Sequence, residues 1–523
     1  MPTIPEALTI AEQALQEGDY SRAQYVYQQI LQALPEEPGA LNGLGVLAYR
    51  AGQLEAAERY IRRALGGFSG NPAFHNNLNL ICRQQGRLDE AVACCQRALE
   101  LDPNSPELHN NLGIALKERG DLEPAAASFE RALDQKPAYA DAHYNLANTL
   151  VKLHRLDQAD REYRRAIRLA PLDCEAHNNL GTLLQLQGRL DEAMACYNAA
   201  LNRPGESAEA HRNRALLRLL LGNFAEGWPE YEWRWRMPGV KLPSARQSRW
   251  EGQPLADKTV LLLAEQGIGD TIQFIRYAAL VKGVGARVVV DCPPMLHALF
   301  RHTPGIDRLV AGDTGPETAD YQVPLLSLPG AFGTRLDTIP AAIPYVFAEP
   351  ERIAHWQRKL ADRPGFKVGI AWQGNPDFTT DYYRSMPLTA FAPLAVCPNI
   401  KLFSLQKGHG REQLAAVADR FEIVDLGSAL DDEGHAFVDT AAVMMNLDLV
   451  ITSDTATAHL AGALGVNVWV ALHRTPNWRW LVARSDSPWY PTARLFRQSQ
   501  LGDWTDVVEQ IAIELRRISC QRS

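Results

Sequence analysis

Glycine recurs every 34 residues along the first half of this 523-residue chain. Gly18, Gly52, Gly86, Gly120, Gly188 and Gly222 mark the register, and His154 fills the one gap of 68. A fixed period of that length is the mark of one small unit stacked on copies of itself. Alanine keeps step with it at Ala23, Ala57, Ala91, Ala125, Ala159 and Ala193, and again at Ala64, Ala98, Ala132, Ala166 and Ala200. Pro35, Pro103, Pro137 and Pro171 close four of the units. Each unit reads as a helix, a tight turn at the Gly, a second helix and a Pro stop. The alanines let the two helix backbones approach closely.

This period and these positions resemble the tetratricopeptide repeat. Six full repeats are predicted over 4–207, with a degenerate seventh over about 208–241. Its aromatic second helix, WPEYEWRW (228–235), caps the stack or joins it to the next domain. Two ladders ride on the repeat. His75, His109, His143, His177 and His211 occupy the fourth position of successive units. Packed helices lie about 8–10 Å apart, whereas a metal needs nitrogens about 2 Å from one centre. A packing role therefore outranks metal for these histidines. Asn77, Asn111, Asn145, Asn179 and Asn213 occupy the sixth position. An amide offers donors and an acceptor, so this ladder suits either an extended peptide backbone or hydrogen bonds between repeats. Similar asparagines line the groove of O-GlcNAc transferase, a resemblance that points to the peptide.

The period stops near 240, and a polar linker comes next, KLPSARQSRWEGQPLADK (241–258). Short apolar runs then alternate with helical patterns. VLLLAEQ (260–266), ARVVVDC (286–292), KVGIAW (367–372), IKLFSLQ (400–406), LDLVITSD (447–454) and VNVWVAL (466–472) read as buried parallel strands. A bridging helix around 345–365 divides them into two Rossmann-like domains. The expected organisation is thus an α-solenoid at 1–241, an N-terminal Rossmann-like domain at 242–350 and a C-terminal one at 351–523. Ligands of such sheets bind outside the carboxyl ends of the strands, and three motifs sit there. EQGIGDTIQF (265–274) runs from strand through a Gly-rich turn into a helix, without the dinucleotide fingerprint or a Walker lysine. SLQKG (404–408) puts Lys407 just past a strand. In TSDTATAHLAGALG (452–465), Asp454 ends a strand and Thr455–Thr457 open a helix whose N–H groups suit an anion.

These motifs, with WQGNP (372–376) and RSMPL (384–388), resemble the heptosyltransferase-type glycosyltransferases of family 9. Their order resembles bacterial proteins that append such a domain to tetratricopeptide repeats. The resemblance implies a two-domain GT-B-type fold, an inverting reaction and a nucleotide-sugar donor, with an acceptor recruited by the repeat groove. It implies Asp270 as general base, Lys407 against the donor diphosphate, and Asp454, Thr455, Ala456, Thr457 and His459 as the diphosphate loop. Gly267, Gly269, Trp372, Gln373, Asn375, Arg384 and Gln406 complete the expected donor site. Local readings stand beside these: a helix cap for Asp270 and a satisfied buried side chain for His459. Two departures from the family are visible. The pair Thr455–Ala456 replaces the usual Thr-Gly, and the N-terminal domain is short, so acceptor recognition is expected to have moved to the solenoid.

A formal net charge of -8 argues against general attraction to nucleic acid. No apolar stretch suggests a membrane span, the first residues lack a signal-peptide pattern, and the eight scattered Cys fit a reducing cytoplasm. No Cys/His cluster has metal spacing, and no metal or other cofactor is expected. The expected partners are a protein, peptide or glycan-carrying acceptor and a nucleotide sugar. The alternative is a non-catalytic peptide-binding scaffold with a degenerate sugar-nucleotide domain.

Overall fold

The computed structural model describes residues 2–202, 207–240, 248–312, 319–378, 381–431 and 435–520. The chain divides into two compact units, Met1–Leu183 and Leu184–Ser523.

The first unit is a run of helical hairpins: Ile4–Gln16 with Tyr20–Ala33, Pro38–Arg50 with Leu54–Gly67, Pro72–Gln84 with Leu88–Leu101, Pro106–Arg119 with Leu122–Gln135, and Ala140–Lys152 with Leu156–Leu169. The helix Cys174–Leu186 opens a sixth. Local chemistry sets each end. Pro38, Pro72 and Pro106 begin their helices, and the side chains of Glu37, Asn71 and Ser105 accept from first-turn N–H groups. The periodic glycines leave the first helix in the left-handed conformation, with φ between 73° and 101° in the first four units. His154 holds the same slot at φ 58°, a conformation that costs an L residue about 1 kcal/mol. Ala23, Ala57, Ala91, Ala125 and Ala159 are fully buried where the two helices of a hairpin meet.

The second unit contains the helix Leu190–Leu201 and a seventh pair, Ala208–Leu220 with Phe224–Tyr231. The last helix runs into a 3-10 turn, Glu232–Arg236. Two parallel sheets come after it. The first has β1 (Ser248–Arg249), β2 (Thr259–Leu263), β3 (Arg287–Asp291), β4 (Arg308–Val310) and β5 (Tyr321–Pro324), in the order β1-β5-β2-β3-β4. The second has β6 (Phe366–Ala371), β7 (Ile400–Ser404), β8 (Val424–Asp425), β9 (Leu449–Ser453), β10 (Val468–Leu472) and β11 (Ala493–Arg497), in the order β11-β10-β9-β6-β7-β8. All the named strand pairs are parallel.

The six apolar runs form β2, β3, β6, β7, β9 and β10, and Pro350–Leu360 is the bridging helix. One face of the second sheet packs Val368, Ile370, Ile451 and Phe496 against Val507, Ile511 and Leu515 of the final helix, Thr505–Cys520. The aromatic seventh repeat is joined to the first sheet. The Trp228 indole donates to the Thr334 carbonyl at 2.9 Å, and the buried Arg234 grips the half-buried Glu265 carboxylate at 3.0 and 2.8 Å.

Candidate functional site

Two strand ends come together in the second unit. After β2 the chain passes through Gln266, held left-handed at φ 60°, to Gly267, where the helix Ile268–Phe274 begins. After β9 it passes through Asp454 to Thr455, where the helix Ala456–Ala463 begins. The two helix starts touch. A Cβ on Gly269 would lie 3.0 Å from the His459 ring and 3.3 Å from the Ala456 Cα, so glycine is what allows the approach. No side chain caps Ala456–Ala463, and its first-turn N–H groups give that end a positive potential. Thr455, Ala456 and Thr457 are half-buried there.

Asp270 serves both neighbours. One carboxylate oxygen accepts from the Gly267 N–H at 2.8 Å, capping its own helix. The other forms an ion pair with Arg479. Arg479 is buried and also donates to Gln273 and, at 2.7 Å, to Asn477. Asp454 is buried beside them. Burial raises its pKa, while Arg384 and Arg479 pull the other way. Arg384 donates to the Asp454 carbonyl at 3.4 Å and to the Asp381 carboxylate at 2.7 Å, under the ring of Phe378. His459 is buried, with Nδ1 2.9 Å from the Tyr490 hydroxyl and its ring stacked on Trp480. Burial first, then Arg479 and Arg276, push its pKa well below the ordinary value. His459 is therefore a neutral, satisfied side chain.

The remaining expected donor residues divide. Asn375 is exposed and accepts from the Asp377 N–H at 3.1 Å in its own turn. Trp372 is fully buried in the sheet core, its indole donating to Gly410, so it presents no face to a ligand. Gln406 accepts from the N–H groups of Trp372 and Gln373 and donates to the carbonyls of Gln373 and His409, which ties β6 to the turn after β7. The Lys407 ammonium donates to the Leu430 and Asp431 carbonyls at 2.5 and 2.9 Å and in this arrangement binds the chain's own loop. Arg479, Gln273, Tyr490 and the buried Arg276 were not anticipated. Arg276 donates to the carbonyls of Gln273, Pro340 and Trp489 and to the Tyr345 hydroxyl. The one sequence signal for this group was the Trp-Arg-Trp run at 478–480.

The sixth-position asparagines bond to the fifth-position residues of the preceding repeat. Asn77 donates to Asn42 at 2.8 Å, Asn111 to Asn76 at 2.8 Å and Asn145 to Asn110 at 3.2 Å, each reaching the preceding repeat. Where Tyr144 breaks the series, Asn179 donates to the Tyr144 hydroxyl and to Asn148, both at 3.1 Å. Asn213 also has a partner. Hydrogen bonding between repeats thus takes one N–H of Asn77, Asn111 and Asn145, and each of these amides has a second. The histidine ladder is likewise internal: Nε2 of His75, His109, His143 and His177 lies 2.9–3.1 Å from the carbonyl six residues earlier. Among the described residues no group of three His, Cys, Asp or Glu is arranged to hold a metal ion, and no helix is long and apolar enough to cross a membrane.

Comparisons with known proteins bear on the repeats. Residues 3–179 match the family described as cilia and flagella-associated protein 70 C-terminal domain, and residues 175–204 match the tetratricopeptide repeat. The protein FlbA of Caulobacter vibrioides is 26% identical over 328 residues, covering 55% of this chain and 52% of FlbA. The chain thus spans about half the length of the curated relative it matches. Solved structures with similar parts include Pseudomonas aeruginosa PilF (20% identity, TM-score 0.36, covering 39% of this chain and 94% of that one). Another is YrrB, described as a TPR protein with an unusual peptide-binding site (23% identity, TM-score 0.29, 33% of this chain and 90% of that one). The first ~230 residues are a helical-repeat solenoid of tetratricopeptide type, with two parallel sheets after it.

Proposed function

We propose that this chain is an inverting glycosyltransferase of GT-B-type fold, with its donor diphosphate at the start of the helix Ala456–Ala463. The observation that supports this most is the meeting of two helix starts from two parallel sheets, with Arg384, Arg479 and Asp270 around them. Such helix starts bind phosphate through N–H groups and dipole, and strand ends of this kind are where α/β sheets place ligands. In the reaction an acceptor hydroxyl oxygen forms a bond to the anomeric carbon. The bond from that carbon to the diphosphate oxygen breaks, and the hydroxyl proton passes to Asp270. The N–H groups at 455–457 and the Arg384 guanidinium meet the charge growing on the leaving diphosphate. The repeat groove recruits the acceptor, a protein or peptide.

The scaffold alternative has one observation in its favour. Both Asp270 oxygens are engaged, by Gly267 and by Arg479, and a base must be free to take a proton. One assay separates the readings. The full chain is incubated with a panel of nucleotide sugars, with and without candidate acceptor proteins, and released nucleoside diphosphate is measured. Turnover that Asp270→Ala abolishes supports the transferase. Absence of both turnover and donor binding across the panel leaves the scaffold.

A further inference from the structure

The last turn of the first helix in successive repeats carries a stripe of cations. Tyr49, Arg83 and Lys117 succeed one another at intervals of 34, and Lys152 lies one residue past the next place in the series. Arg83 is held by two hydrogen bonds to Glu118, at 2.8 and 2.5 Å. Lys117 is half-buried, and its hydrogen bond to the Asn145 amide oxygen is a long contact of 3.3 Å. Burial and the neighbouring Lys152 and Arg83 charges disfavour its ammonium form, and only Glu118 offsets them. Glu118 thus answers both Arg83 and Lys117, with the charge of Lys152 added beside them. The start of the helices that carry Lys117 and Lys152, and of the next first helix, has the opposite sign: Glu107, Asp141 and Glu175 occupy the second position and are exposed, Glu107 in an ion pair with Lys136 at 3.0 Å. Ten helical residues, about 15 Å, separate the two edges. A half-buried ammonium crowded by like charges is an unfavourable arrangement that an incoming anion relieves.

We propose that the Arg83–Lys117–Lys152 edge of the repeats binds an acidic, extended peptide segment whose carboxylates are spaced three residues apart. The spacing comes from two rises. Neighbouring helices lie about 8–10 Å apart, and a polyproline-II chain advances about 9 Å in three residues. The acidic second-position edge repels the same segment and so fixes which side of the helices it takes. The proposal rests on the acceptor half of the proposed function and deepens it by naming the class of segment recruited. It is tested without any nucleotide sugar, so its failure leaves the donor assay untouched.

The test uses the full chain and a fluorescein-labelled peptide of four Glu-Gly-Ser units, with Gln and Lys counterparts, read by fluorescence anisotropy. Saturable binding of the Glu peptide is expected, about tenfold or more tighter than the Gln peptide and weakening with added salt. Lys117→Ala with Lys152→Ala is expected to weaken it about tenfold. The exposed Lys152→Glu alone weakens it measurably while the circular dichroism stays unchanged, which covers the case in which the double variant misfolds. Equal affinity for the Gln peptide would overturn the proposal, as would unchanged affinity in Lys152→Glu and the double variant, or no saturable binding. Displacement of the Glu peptide by a single-stranded oligonucleotide that binds more tightly would also overturn it, showing a general polyanion surface.

Discussion

At the scale of single residues, the candidate site depends on one missing side chain and one unexpected arginine. Gly269 has φ in the ordinary range and is required only by proximity, since a methyl group there meets the His459 ring and the Ala456 backbone. Gly269→Ala is expected to cost about 1–3 kcal/mol, measured by urea denaturation. Gly283→Ala, where a Cβ meets nothing within 4 Å, serves as the near-neutral control. Arg479→Met leaves Asp270 without its ionic partner and Gln273 without its donor. Removing one member of a buried pair typically costs about 3–5 kcal/mol. The 20% exposure of the Asp270 side chain admits water, so the lower end is expected, together with loss of any donor turnover. Here the sequence was half legible. Asp270 and Asp454 stood out because each comes after a strand and opens a helix. Arg479 lies 209 positions from Asp270, and no local spacing announces such a pairing. Trp372 and Gln406 were misleading for the same reason: position at a strand end does not say whether a side chain points to the cleft or into the core.

At the scale of elements, the repeats were readable almost turn by turn, because each boundary has a local cause. Glycine supplies the left-handed turn, proline opens or closes a helix, and alanine sits at the crossing. What spacing does not give is the direction of an amide. The sixth-position asparagines look equally suited to a ligand and to a neighbour, and the structure adds that each of Asn77, Asn111 and Asn145 gives one N–H to the preceding repeat. Asn111→Ala removes the donor to Asn76 and is expected to lower stability by about 1 kcal/mol, seen as an earlier urea midpoint. The strands divide along similar lines. β2, β3, β6, β7, β9 and β10 announced themselves as apolar runs. β1 and β8 have two residues each and β4 three, too few for any periodicity, and β11 carries charged residues near both ends of ARLFR.

At the scale of the molecule, the buried histidines make stability depend on acid in a defined direction. Burial first, then Arg384 and Arg497, lower the His473 pKa from 6.5 to about 4, and His459 is lowered well below its ordinary value in the same sense. The folded chain refuses a proton that the unfolded chain accepts below about 6.5. Their contribution is therefore complete above that pH and is lost as the pH falls towards 4. Urea midpoints measured between pH 7 and pH 4.5 are expected to decline, and the decline should be shallower in His473→Phe. A flat profile in the parent chain would count against burial of these rings. Glu58 adds a separate loss at lower pH. Its burial opposes ionisation, but hydrogen bonds from Arg87, Arg62 and Gln85 prevail and hold its pKa at about 2. That contribution fades between about 4.5 and 2.

The hold of the seventh repeat on the first sheet has a consequence for how such a chain changes length. Trp228 and Arg234 fasten this hairpin to Thr334 and Glu265, and the turn of the sixth repeat abuts Arg474 at Gly188, whereas the hairpins of the first unit are specified by themselves and their neighbours. An in-frame gain or loss of 34 residues among the hairpins of the first unit keeps the repeat register and leaves that attachment unaltered. The same event across 208–236 removes the attachment itself. Repeat number in the first unit can therefore drift like the links of a chain, while the last hairpin stays fixed as the clasp.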